Sequence, residues 1–504
     1  AAGARRAVNQ GPSLRSGRQK EPKGWLPNMS DSADTRQPYD IIVIGGGPGG
    51  YVAAIRGAQL GGRVALVEKD ALGGTCLNRG CIPTKAMVRD AELFRDIASG
   101  QFGVAVEGAR VDYPKLAARQ RAVVETVTDG VRRLMDSNGV DVIKGHGRIL
   151  APDRVRVTAQ DGDQELNTRA IIIATGSVPY RMPLPGNDLP GVITSDELLQ
   201  LDELPRRLVV IGGSAVGVEF ACIYRALGSE VTLLGRRTFL KTSEQQLARR
   251  LRIEMGRQGI DITIGVDFQE IVSGDDGSLQ VRYERSGKAA VAEGDLVLLA
   301  TGRQPYMEGL GLEDVGVRVR NPGVVVDQYL ETSVPGIYAI GDVLAGYMLA
   351  HVASREGEVA VENILSDHKR PMEYHVVPDT VFSIPEIGGV GLTEAEAKSQ
   401  GLHYRVTRFP LNANGRAQAL GEPEGQVRMI CEVGEDGQSG RVLGVHILGA
   451  RAGDLLAEAA LAMRLGATAR DIAETIHQHP TVSEAIMEAA MAHLEGAIHY
   501  DKIG

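Results

Sequence analysis

Apolar residues recur along the chain in short runs that are separated by glycine-rich turns and by longer amphipathic stretches. An apolar run at 41–44 is followed by a glycine turn at 45–50, a helix-length stretch at 51–60 and a second apolar run at 64–67. Short apolar runs bounded by glycine are typical of buried strands. The order strand, turn, helix, strand therefore predicts a βαβ unit.

The same order returns in the second quarter of the chain, with a strand at 209–211, a turn at 212–217, a helix that ends at 227 and a strand at 231–234. Short strands are predicted between the two units. After residue 378, alternating strands precede helices rich in Ala and Glu. The pattern predicts an α/β fold with two doubly wound dinucleotide-binding domains and a C-terminal α+β domain.

Composition narrows the class of protein. The chain has 504 residues and a formal net charge of -9, and its apolar runs fall far short of the ~18 residues of a membrane span. The acidic balance argues against nucleic acid or an anionic membrane as a partner. Four cysteines exclude a disulfide scaffold, so we expect a reducing, cytoplasmic location.

Residues 1–37 lack apolar periodicity and are expected to be a disordered extension, with translation beginning at Met29.

The first glycine turn has the spacing of a nucleotide-binding loop. Gly45, Gly47 and Gly50 stand between a strand and a helix, and Glu68 closes the next strand. Glycine at these positions allows a tight turn and close approach of the backbone to a pyrophosphate, while the carboxylate accepts a hydrogen bond from a ribose hydroxyl. We therefore predict a dinucleotide site here, with a turn that binds nothing as the alternative.

The second turn departs from this pattern. Its motif positions are held by Gly212, Ser214 and Gly217. At the strand end, where an NAD site has an acid, stands Gly235, followed by Arg236 and Arg237. Guanidinium groups in place of a carboxylate favour a 2'-phosphate, so this site is predicted to prefer NADP. The alternative is that both arginines are solvated surface charges.

Cys76 and Cys81 lie five positions apart, just after the first nucleotide-binding unit. In a regular helix their Cα atoms would be ~8.6 Å apart, beyond the ~7 Å limit for a disulfide, so a bond requires an irregular turn. Gly80 and Pro83 are suited to one. Two inert buried thiols or half of a zinc site are alternatives, but no second cysteine pair completes a four-thiolate site. We predict a working cysteine pair and no metal.

His479 and Glu484 bring an imidazole and a carboxylate together near the C-terminus. Thiol chemistry needs a group that removes the proton, because the thiolate is the nucleophile. A histidine beside a proline is also typical of a capping or core residue. The cysteine pair favours the catalytic interpretation.

Several motifs together resemble one family. They are Gly73-Gly74-Thr75-Cys76-x4-Cys81-Ile82-Pro83-x-Lys85, His479-Pro480-Thr481-x-Ser483-Glu484, and the stretches 174–177, 300–303, 340–342, 348–351 and 445–449. Over about 39–492 the chain resembles the flavin-dependent pyridine nucleotide-disulfide oxidoreductases. Within that family it is most similar to the dihydrolipoamide dehydrogenases.

The resemblance implies FAD and a nicotinamide nucleotide, NAD or NADP, as cofactors. Besides the first glycine motif and Glu68, the implied FAD contacts are Thr75, Lys85, Gly147, Thr175, Gly176, Asp342, Ala350 and His351. The implied NAD(P) contacts are Gly212, Ser214, Gly217, Glu219, Gly235, Arg236, Arg237 and Gly302. Glu219 would lie beside Lys85 near the reactive flavin edge. The resemblance also implies a homodimer in which His479 reaches the cysteine pair of the other subunit.

The implied reaction converts dihydrolipoamide and NAD(P)+ to lipoamide and NAD(P)H. The substrate, free or on a carrier domain, would attack Cys76, Cys81 would face the flavin, and His479, oriented by Glu484, would act as the base. Lys85 would favour the charged states.

The alternatives are an NADPH-dependent disulfide reductase, a mercuric-type reductase and, in another class, a non-catalytic flavoprotein scaffold. Mercuric reductases share the basic strand end but have a C-terminal cysteine pair and lack the histidine base. Glutathione reductases place an arginine where this chain has Glu358. A scaffold has no need of all five catalytic residues.

The expected domain organisation is an extension (1–37), an FAD-binding domain (38–177 and 304–375), an NAD(P)-binding domain (178–303) and a C-terminal interface or dimerisation domain (376–504).

Overall fold

The computed structural model describes residues 37–435 and 437–500. The predictions for the N-terminal extension and for Met29 fall on residues outside these ranges, apart from Gln37. The domain limits given above stay predictions. In the described ranges, no helix combines the length and the apolarity that crossing a membrane requires.

The first part of the chain forms a mixed sheet with helices on its faces. Its elements are β1 (Tyr39–Ile44), α1 (Pro48–Gln59), β2 (Val64–Glu68), α2 (Gly74–Arg79), α3 (Cys81–Ser99), α4 (Tyr113–Ser137), β3 (Asp141–Lys144), β4 (His146–Ala151), β5 (Arg154–Ala159), β6 (Gly162–Ile173) and β7 (Ser177–Pro179). β1 pairs in parallel with β2 and β6, and β2 with β3, whereas β5 pairs antiparallel with β4 and β6. Ile41 and Val43 belong to one buried cluster and Ile42 and Ile44 to another, because alternate residues of a strand face opposite sides of the sheet.

The second part contains another sheet with helices on its faces. Its elements are β8 (Val192–Ile193), α5 (Ser195–Leu198), β9 (Arg207–Ile211), α6 (Ala215–Leu227), β10 (Glu230–Gly235), α7 (Gln245–Arg257), β11 (Ile260–Ile264), β12 (Asp267–Ser273), β13 (Leu279–Arg285), β14 (Lys288–Gly294) and β15 (Leu296–Leu299). Five of these strands form a fully parallel sheet in the order β11-β10-β9-β15-β8. β12, β13 and β14 form a separate antiparallel sheet.

The chain then returns to the first sheet. The elements of this return are β16 (Arg303–Pro305), β17 (Val319–Arg320), β18 (Gly323–Val324), β19 (Ile337–Ala339), a 3-10 helix (Gly341–Leu344) and α8 (Ala350–Leu365). β19 pairs in parallel with β6, and β16 pairs antiparallel with β7. α8 crosses α1 closely, since a Cβ on Gly357 would lie 2.6 Å from the Gly49 carbonyl oxygen.

The C-terminal part is an antiparallel sheet packed with helices. Its elements are β20 (Asp379–Val381), β21 (Ile387–Gly391), α9 (Glu394–Ser399), β22 (Tyr404–Pro410), a 3-10 helix (Leu411–Ala413), α10 (Gly415–Leu420), β23 (Gln426–Val433), β24 (Ser439–Leu448), α11 (Ala452–Arg464), α12 (Ala469–Glu474) and α13 (Glu484–Met491). The strand order of the sheet is β20-β21-β24-β23-β22. The predicted α/β class, with an α+β C-terminal part, is therefore confirmed. Cys222 in α6 and Cys431 in β23 are buried core residues, as expected.

The two helices after the glycine turns begin earlier than the sequence predicted. α1 begins at Pro48 rather than at residue 51, and α6 begins at Ala215 rather than after residue 217. Glycine is a poor helix former, so the pattern placed the last glycine of each motif in the turn. In the structure the last glycine lies inside the helix. Close packing requires glycine there, because a Cβ on Gly50 would lie 1.8 Å from the Gly45 carbonyl oxygen.

A buried ionic cluster joins the second part to the C-terminal part. Arg428 on β23 donates to Glu394 at 2.6 Å and to Gln246 on α7 at 2.8 Å, and its Nε lies 3.7 Å from Glu244. Arg428 and Glu244 are both buried. Because a buried cation is strongly destabilising without its partners, this cluster fixes α7 against the C-terminal sheet.

Candidate active site

The first glycine turn lies at the carboxyl ends of β1 and β6. Gly45 has a φ of +111°, and a Cβ there would lie 2.3 Å from the Ala174 carbonyl oxygen, so the position accepts only glycine. Gly47 is open, with Gly74 Cα as its nearest neighbour at 3.9 Å. The turn leads directly into the N-terminus of α1, whose free N–H groups favour an anion. The residues present therefore fit the pyrophosphate of a dinucleotide.

Glu68 closes β2 beside this turn. Its Oε2 accepts from the Gly46 N–H at 2.6 Å and its Oε1 accepts from the Asp70 N–H at 2.7 Å. Gly147 on β4 packs against Ile44 and Val67 at the ends of β1 and β2. The carboxylate is thereby held at the strand end, where it was predicted to meet a ribose.

A polar cluster follows the Ala-Thr-Gly turn after β6. Thr175 Oγ1 donates to the Tyr306 carbonyl at 2.6 Å, and the Gly176 carbonyl accepts from the Tyr306 N–H at 2.9 Å. Ser177 donates to Asp342. The predicted residues Thr175, Gly176 and Asp342 therefore lie together.

Arg303 is a member of this cluster that the sequence analysis did not select. It donates to Ser177 Oγ at 2.7 Å, lies 4.0 Å from Asp342 and reaches Thr75 Oγ1 at 3.4 Å. Its position directly after the second Ala-Thr-Gly turn was the available signal. Since this half-buried cation contacts residues from three segments, it fixes Thr75 beside Asp342.

The turn that carries Asp342 is supported by another residue that the sequence analysis missed. Glu356 on α8 is buried, and it accepts from the Gly341 N–H at 2.6 Å and from the Tyr374 hydroxyl at 2.7 Å. Ala350 and His351 form the first turn of α8, and His351 Nε2 lies 2.9 Å from the Pro378 carbonyl. The start of α8 is therefore held next to the Asp342 turn.

The predicted irregular turn between the two cysteines is present. α2 ends at Arg79 and α3 begins at Cys81, with Gly80 as the break at φ -144° and ψ -111°. Pro83 lies inside the first turn of α3 rather than in the break. A Cβ on Gly80 would lie 3.0 Å from the Thr75 carbonyl oxygen, so the change of direction depends on glycine.

The two thiols interact, and each changes the pKa of the other. The bond from Cys76 lowers the pKa of Cys81 to about 7, and Lys85 lowers it further against the effect of burial. Donation to Cys81, together with burial, raises the pKa of Cys76 well above its ordinary value. Cys81 is therefore the thiolate of the pair, and Cys76 keeps the proton.

Lys85 and Glu219 connect the two nucleotide-binding halves. Lys85 Nζ donates to both oxygens of Glu219, at 2.9 and 3.1 Å, and lies 4.4 Å from the centre of the Phe382 ring. The Phe382 N–H donates to Glu219 at 2.9 Å. Phe382 was not selected from the sequence, because it belongs to no motif quoted there.

The second glycine turn repeats the geometry of the first. Gly212 has a φ of +137°, and a Cβ there would lie 2.1 Å from the Ala300 carbonyl oxygen. Ser214 precedes α6, and its hydroxyl donates to the same carbonyl at 3.4 Å. Gly302, with a φ of +119°, has open space on its Cβ side. This turn also fits a dinucleotide.

The strand end after this turn carries no side chain and packs against Ile264. A Cβ on Gly235 would lie 2.6 Å from Ile264 Cδ1. Arg236 and Arg237 follow it and are exposed. Both arginines are therefore accessible to solvent.

His479 and Glu484 form a pair at the start of α13. His479 Nδ1 lies 2.9 Å from Glu484 Oε1, and Glu484 Oε2 accepts from the Thr481 N–H at 2.8 Å. Burial would raise the pKa of Glu484, but the Thr481 N–H and His479 hold it below its ordinary value. The His479 side chain is 79% exposed, and in the described part of a single chain it forms no hydrogen bond with either cysteine. Nε2 thus faces outward with its ring orientation fixed.

Two family models match most of the chain. The model described as pyridine nucleotide-disulphide oxidoreductase matches residues 39–357, and its dimerisation domain matches residues 377–490. Both ranges lie within the region over which the sequence motifs resembled that family.

Curated relatives match the chain along nearly its whole length. Dihydrolipoyl dehydrogenase of Thermus scotoductus is 42% identical, covering 92% of this chain and 98% of the relative. Dihydrolipoyl dehydrogenase of Bacillus subtilis is 39% identical, covering 92% and 99%. Leghemoglobin reductase of Glycine max is 38% identical, covering 90% and 87%.

Solved structures agree with the fold. The HOCl-induced flavoprotein disulfide reductase RclA from Escherichia coli, as its Cu(II) complex, has a TM-score of 0.81 and 29% identity, covering 90% of this chain and 99% of that chain. The individual roles assigned above to the cysteines, Lys85, His479 and the nucleotide contacts stay predictions.

Proposed function

The chain belongs to the pyridine nucleotide-disulphide oxidoreductase family and is a flavin-dependent oxidoreductase that acts on a sulfur group; we propose that it is a dihydrolipoyl dehydrogenase. The observation that carries the proposal is the thiol pair Cys76–Cys81, in which one sulfur is set to be a thiolate beside Lys85. The exposed pair His479–Glu484 supplies the base that a dithiol substrate needs.

The chain's own residues perform the thiol steps. With Cys76 and Cys81 joined as a disulfide, a substrate thiolate attacks Cys76, a mixed disulfide forms and Cys81 leaves as a thiolate. His479 Nε2 takes the proton from the second substrate thiol, which displaces Cys76 and closes the substrate disulfide. The substrate loses two electrons and the protein disulfide gains them.

The family is FAD-dependent and uses a pyridine nucleotide. We propose that FAD is held by the first glycine turn, Glu68 and the polar cluster around Asp342. When bound there, FAD would accept two electrons from the dithiol and pass them on as hydride to the nicotinamide. Lys85, paired with Glu219, stabilises the Cys81 thiolate from which the electrons depart.

For the second nucleotide we propose NADP in preference to NAD. Gly235 supplies no carboxylate at the position where an acid would bind a ribose hydroxyl. Arg236 and Arg237 offer positive charge instead. This departs from the acid that dihydrolipoyl dehydrogenases usually have at this strand end.

We further propose a homodimer in which His479 serves the cysteine pair of the other subunit, and a cytoplasmic location. The match of residues 377–490 to a dimerisation domain supports the dimer. The outward-facing Nε2 of His479 supports its action between subunits, because the ring is already oriented by Glu484.

Two alternatives remain as reactions of the same site. One is an NADPH-dependent disulfide reductase, and the other is a mercuric-type reductase. RclA has been solved as a Cu(II) complex, and a thiolate pair is also suited to a soft metal ion as substrate. Against glutathione, the chain has Glu358, a carboxylate paired with Arg355, at the position that sequence matching aligns with the arginine of glutathione reductases.

The test compares turnover of the holoenzyme with NAD, NADP, lipoamide, glutathione disulfide and Hg(II). We expect the highest kcat/KM with the lipoamide couple and NADP(H). Faster turnover of glutathione disulfide or Hg(II) would overturn the substrate assignment. Failure of dihydrolipoamide to reduce the bound flavin under anaerobic conditions would overturn it independently of the nucleotide.

A further inference from the structure

The segment that follows β20 enters the junction between α3 and α6. Val381 and Ile384 are buried there, in the same apolar cluster as residues of both helices. Phe382 lies between them in the sequence and is half-buried. The C-terminal part of the chain therefore reaches the two helices that carry Lys85 and Glu219.

Phe382 contacts both members of this ion pair, each through a different group. Its ring centre lies 4.4 Å from Lys85 Nζ, within the ~6 Å over which the face of an aromatic ring attracts a cation. Its N–H donates to Glu219 Oε1 at 2.9 Å, and the same oxygen accepts from Lys85 at 3.1 Å. One residue thus touches the ammonium group and the carboxylate at once.

The segment is held in place independently of the aromatic ring. Gln258, at the end of α7, donates to the Ile384 carbonyl at 2.8 Å. The bond from the Phe382 N–H to Glu219 involves only the backbone of residue 382. Replacing the ring therefore leaves both hydrogen bonds available, and the contact that it removes is the one with Lys85.

The place of the Lys85 ammonium group matters for the cysteine pair. Lys85 and Cys81 are four positions apart on α3, so they lie on the same face of this helix. The charge of Lys85 lowers the pKa of Cys81, whereas the charge of Glu219 raises it. A displacement of the lysine would therefore change the balance of two opposed charges.

Other groups also act on the cysteine pair. Cys76 lowers the pKa of Cys81, Tyr51 of α1 interacts electrostatically with Cys76, and Arg303 at the start of β16 interacts with Cys81. These groups belong to segments other than the one that follows β20. Phe382 brings no charge of its own, so any effect of its ring on Cys81 must pass through Lys85.

We infer that Phe382 is a positioning residue that holds the Lys85 ammonium group where it stabilises the negative charge on Cys81. The inference deepens the proposed function, on which the role of Cys81 rests. Leucine at this position is apolar but has no aromatic face. The ammonium group of Lys85, whose side chain is 31% exposed, would lose one of its attractions and move towards water. The Cys81 thiolate would then be less stable.

The test is the pH dependence of alkylation of the Cys81 peptide by iodoacetamide in the dithiol-reduced holoenzyme, followed by mass spectrometry. At about one pH unit below the wild-type pKa of about 7, Phe382→Leu should lower the rate about two- to fivefold, the worth of a cation–π contact at a partly exposed site. At high pH, where the thiolate is fully formed, the rates should agree. Phe382→Tyr keeps the ring and should follow the wild-type curve. Phe268→Leu, at a half-buried phenylalanine of β12, is the matched control.

A second background separates this role from a purely structural one. In Lys85→Met the ring has no cation to hold, so adding Phe382→Leu should not shift the alkylation curve further. An equal shift in both backgrounds would overturn the inference, and so would an unchanged curve in Phe382→Leu or a shift of the same size in Phe382→Tyr. Phe382→Met, which also lacks a ring, repeats the measurement if the leucine variant does not fold.

The outcome is independent of the substrate. Alkylation of Cys81 needs no turnover. Failure of dihydrolipoamide to reduce the flavin would therefore contradict the proposed function and leave this result readable.

Discussion

Lys85 of α3 and Glu219 of α6 form an ion pair, with 2.9 Å between Nζ and Oε2, across the junction of the two nucleotide-binding halves. The Glu219 side chain is 9% exposed and also accepts the Phe382 N–H. The same lysine lowers the pKa of Cys81. One contact thus links the position of the second glycine turn to the charge on the cysteine pair.

Lys85→Met should raise the pKa of Cys81. In the wild type this pKa is held at about 7 by the bond from Cys76 and by Lys85, so the thiolate is present above that pH and is lost as the pH falls through it. Without the ammonium group, the thiolate should form only at higher pH. The measurement is the pH dependence of alkylation of the Cys81 peptide in the dithiol-reduced holoenzyme. Lys115→Gln, which removes an 86% exposed lysine of α4, is the matched control.

His479→Gln should lower kcat for dihydrolipoamide oxidation by about 10² to 10⁴, the usual contribution of a general base. Flavin content should stay unchanged, because among the described residues the His479 side chain hydrogen bonds only to Glu484, which is not one of the predicted flavin contacts. Steady-state rates measure kcat, and the flavin absorption spectrum measures the flavin content. A loss of less than threefold would exclude His479 as the base.

Mixing two inactive variants should restore activity if the base acts between subunits. Cys76→Ser removes the sulfur that the substrate attacks, and His479→Gln removes the base. A mixed dimer contains one site in which both residues are intact. Co-expression with two affinity tags, followed by rate measurement, tests this. Mixed dimers as inactive as either parent would place both residues in the same subunit's site.

Arg236→Gln and Arg237→Gln should reduce kcat/KM for NADP by about ten- to hundredfold each, the worth of a lost charge-assisted hydrogen bond. The value for NAD should change little, because NAD lacks the 2'-phosphate. Arg285→Gln, at an exposed arginine of β13, controls for the general loss of positive charge. An equal loss for both nucleotides would contradict the NADP preference.

Cys81→Ser should abolish the long-wavelength absorption that a thiolate gives against bound flavin on partial reduction. Cys81 is the member of the pair with the lowered pKa, whereas the pKa of Cys76 is raised. Anaerobic titration with dithionite provides the spectrum. Its persistence in Cys81→Ser, with loss in Cys76→Ser, would reverse the two roles.

The parts predicted correctly from sequence are those that local chemistry determines. Gly45 and Gly212 were recognisable because a tight turn between a strand and a helix demands glycine, and both have positive φ. Gly80 was recognisable as a candidate break because a disulfide between cysteines five positions apart is not possible in a regular helix. At each of these positions a single physical requirement of the backbone explains why the residue is glycine.

The parts that sequence reasoning missed depend on contacts that form only in the folded chain. Arg303 and Glu356 act through partners that lie 126 and 15 positions away along the chain, in Ser177 and Gly341. The early start of α1 depends on Gly50 packing against Gly45, which overrides the weak helix propensity of glycine. No periodicity or local motif encodes such contacts.

The cluster around Arg428 bears on how the molecule responds to heat. Hydration of charged groups becomes less favourable as temperature rises, so keeping Arg428 and Glu244 away from water costs less in a warm protein than in a cold one. Apolar contacts gain no comparable advantage. The contact between α7 and the C-terminal sheet should therefore lose less of its stability on heating than a purely apolar contact of similar size.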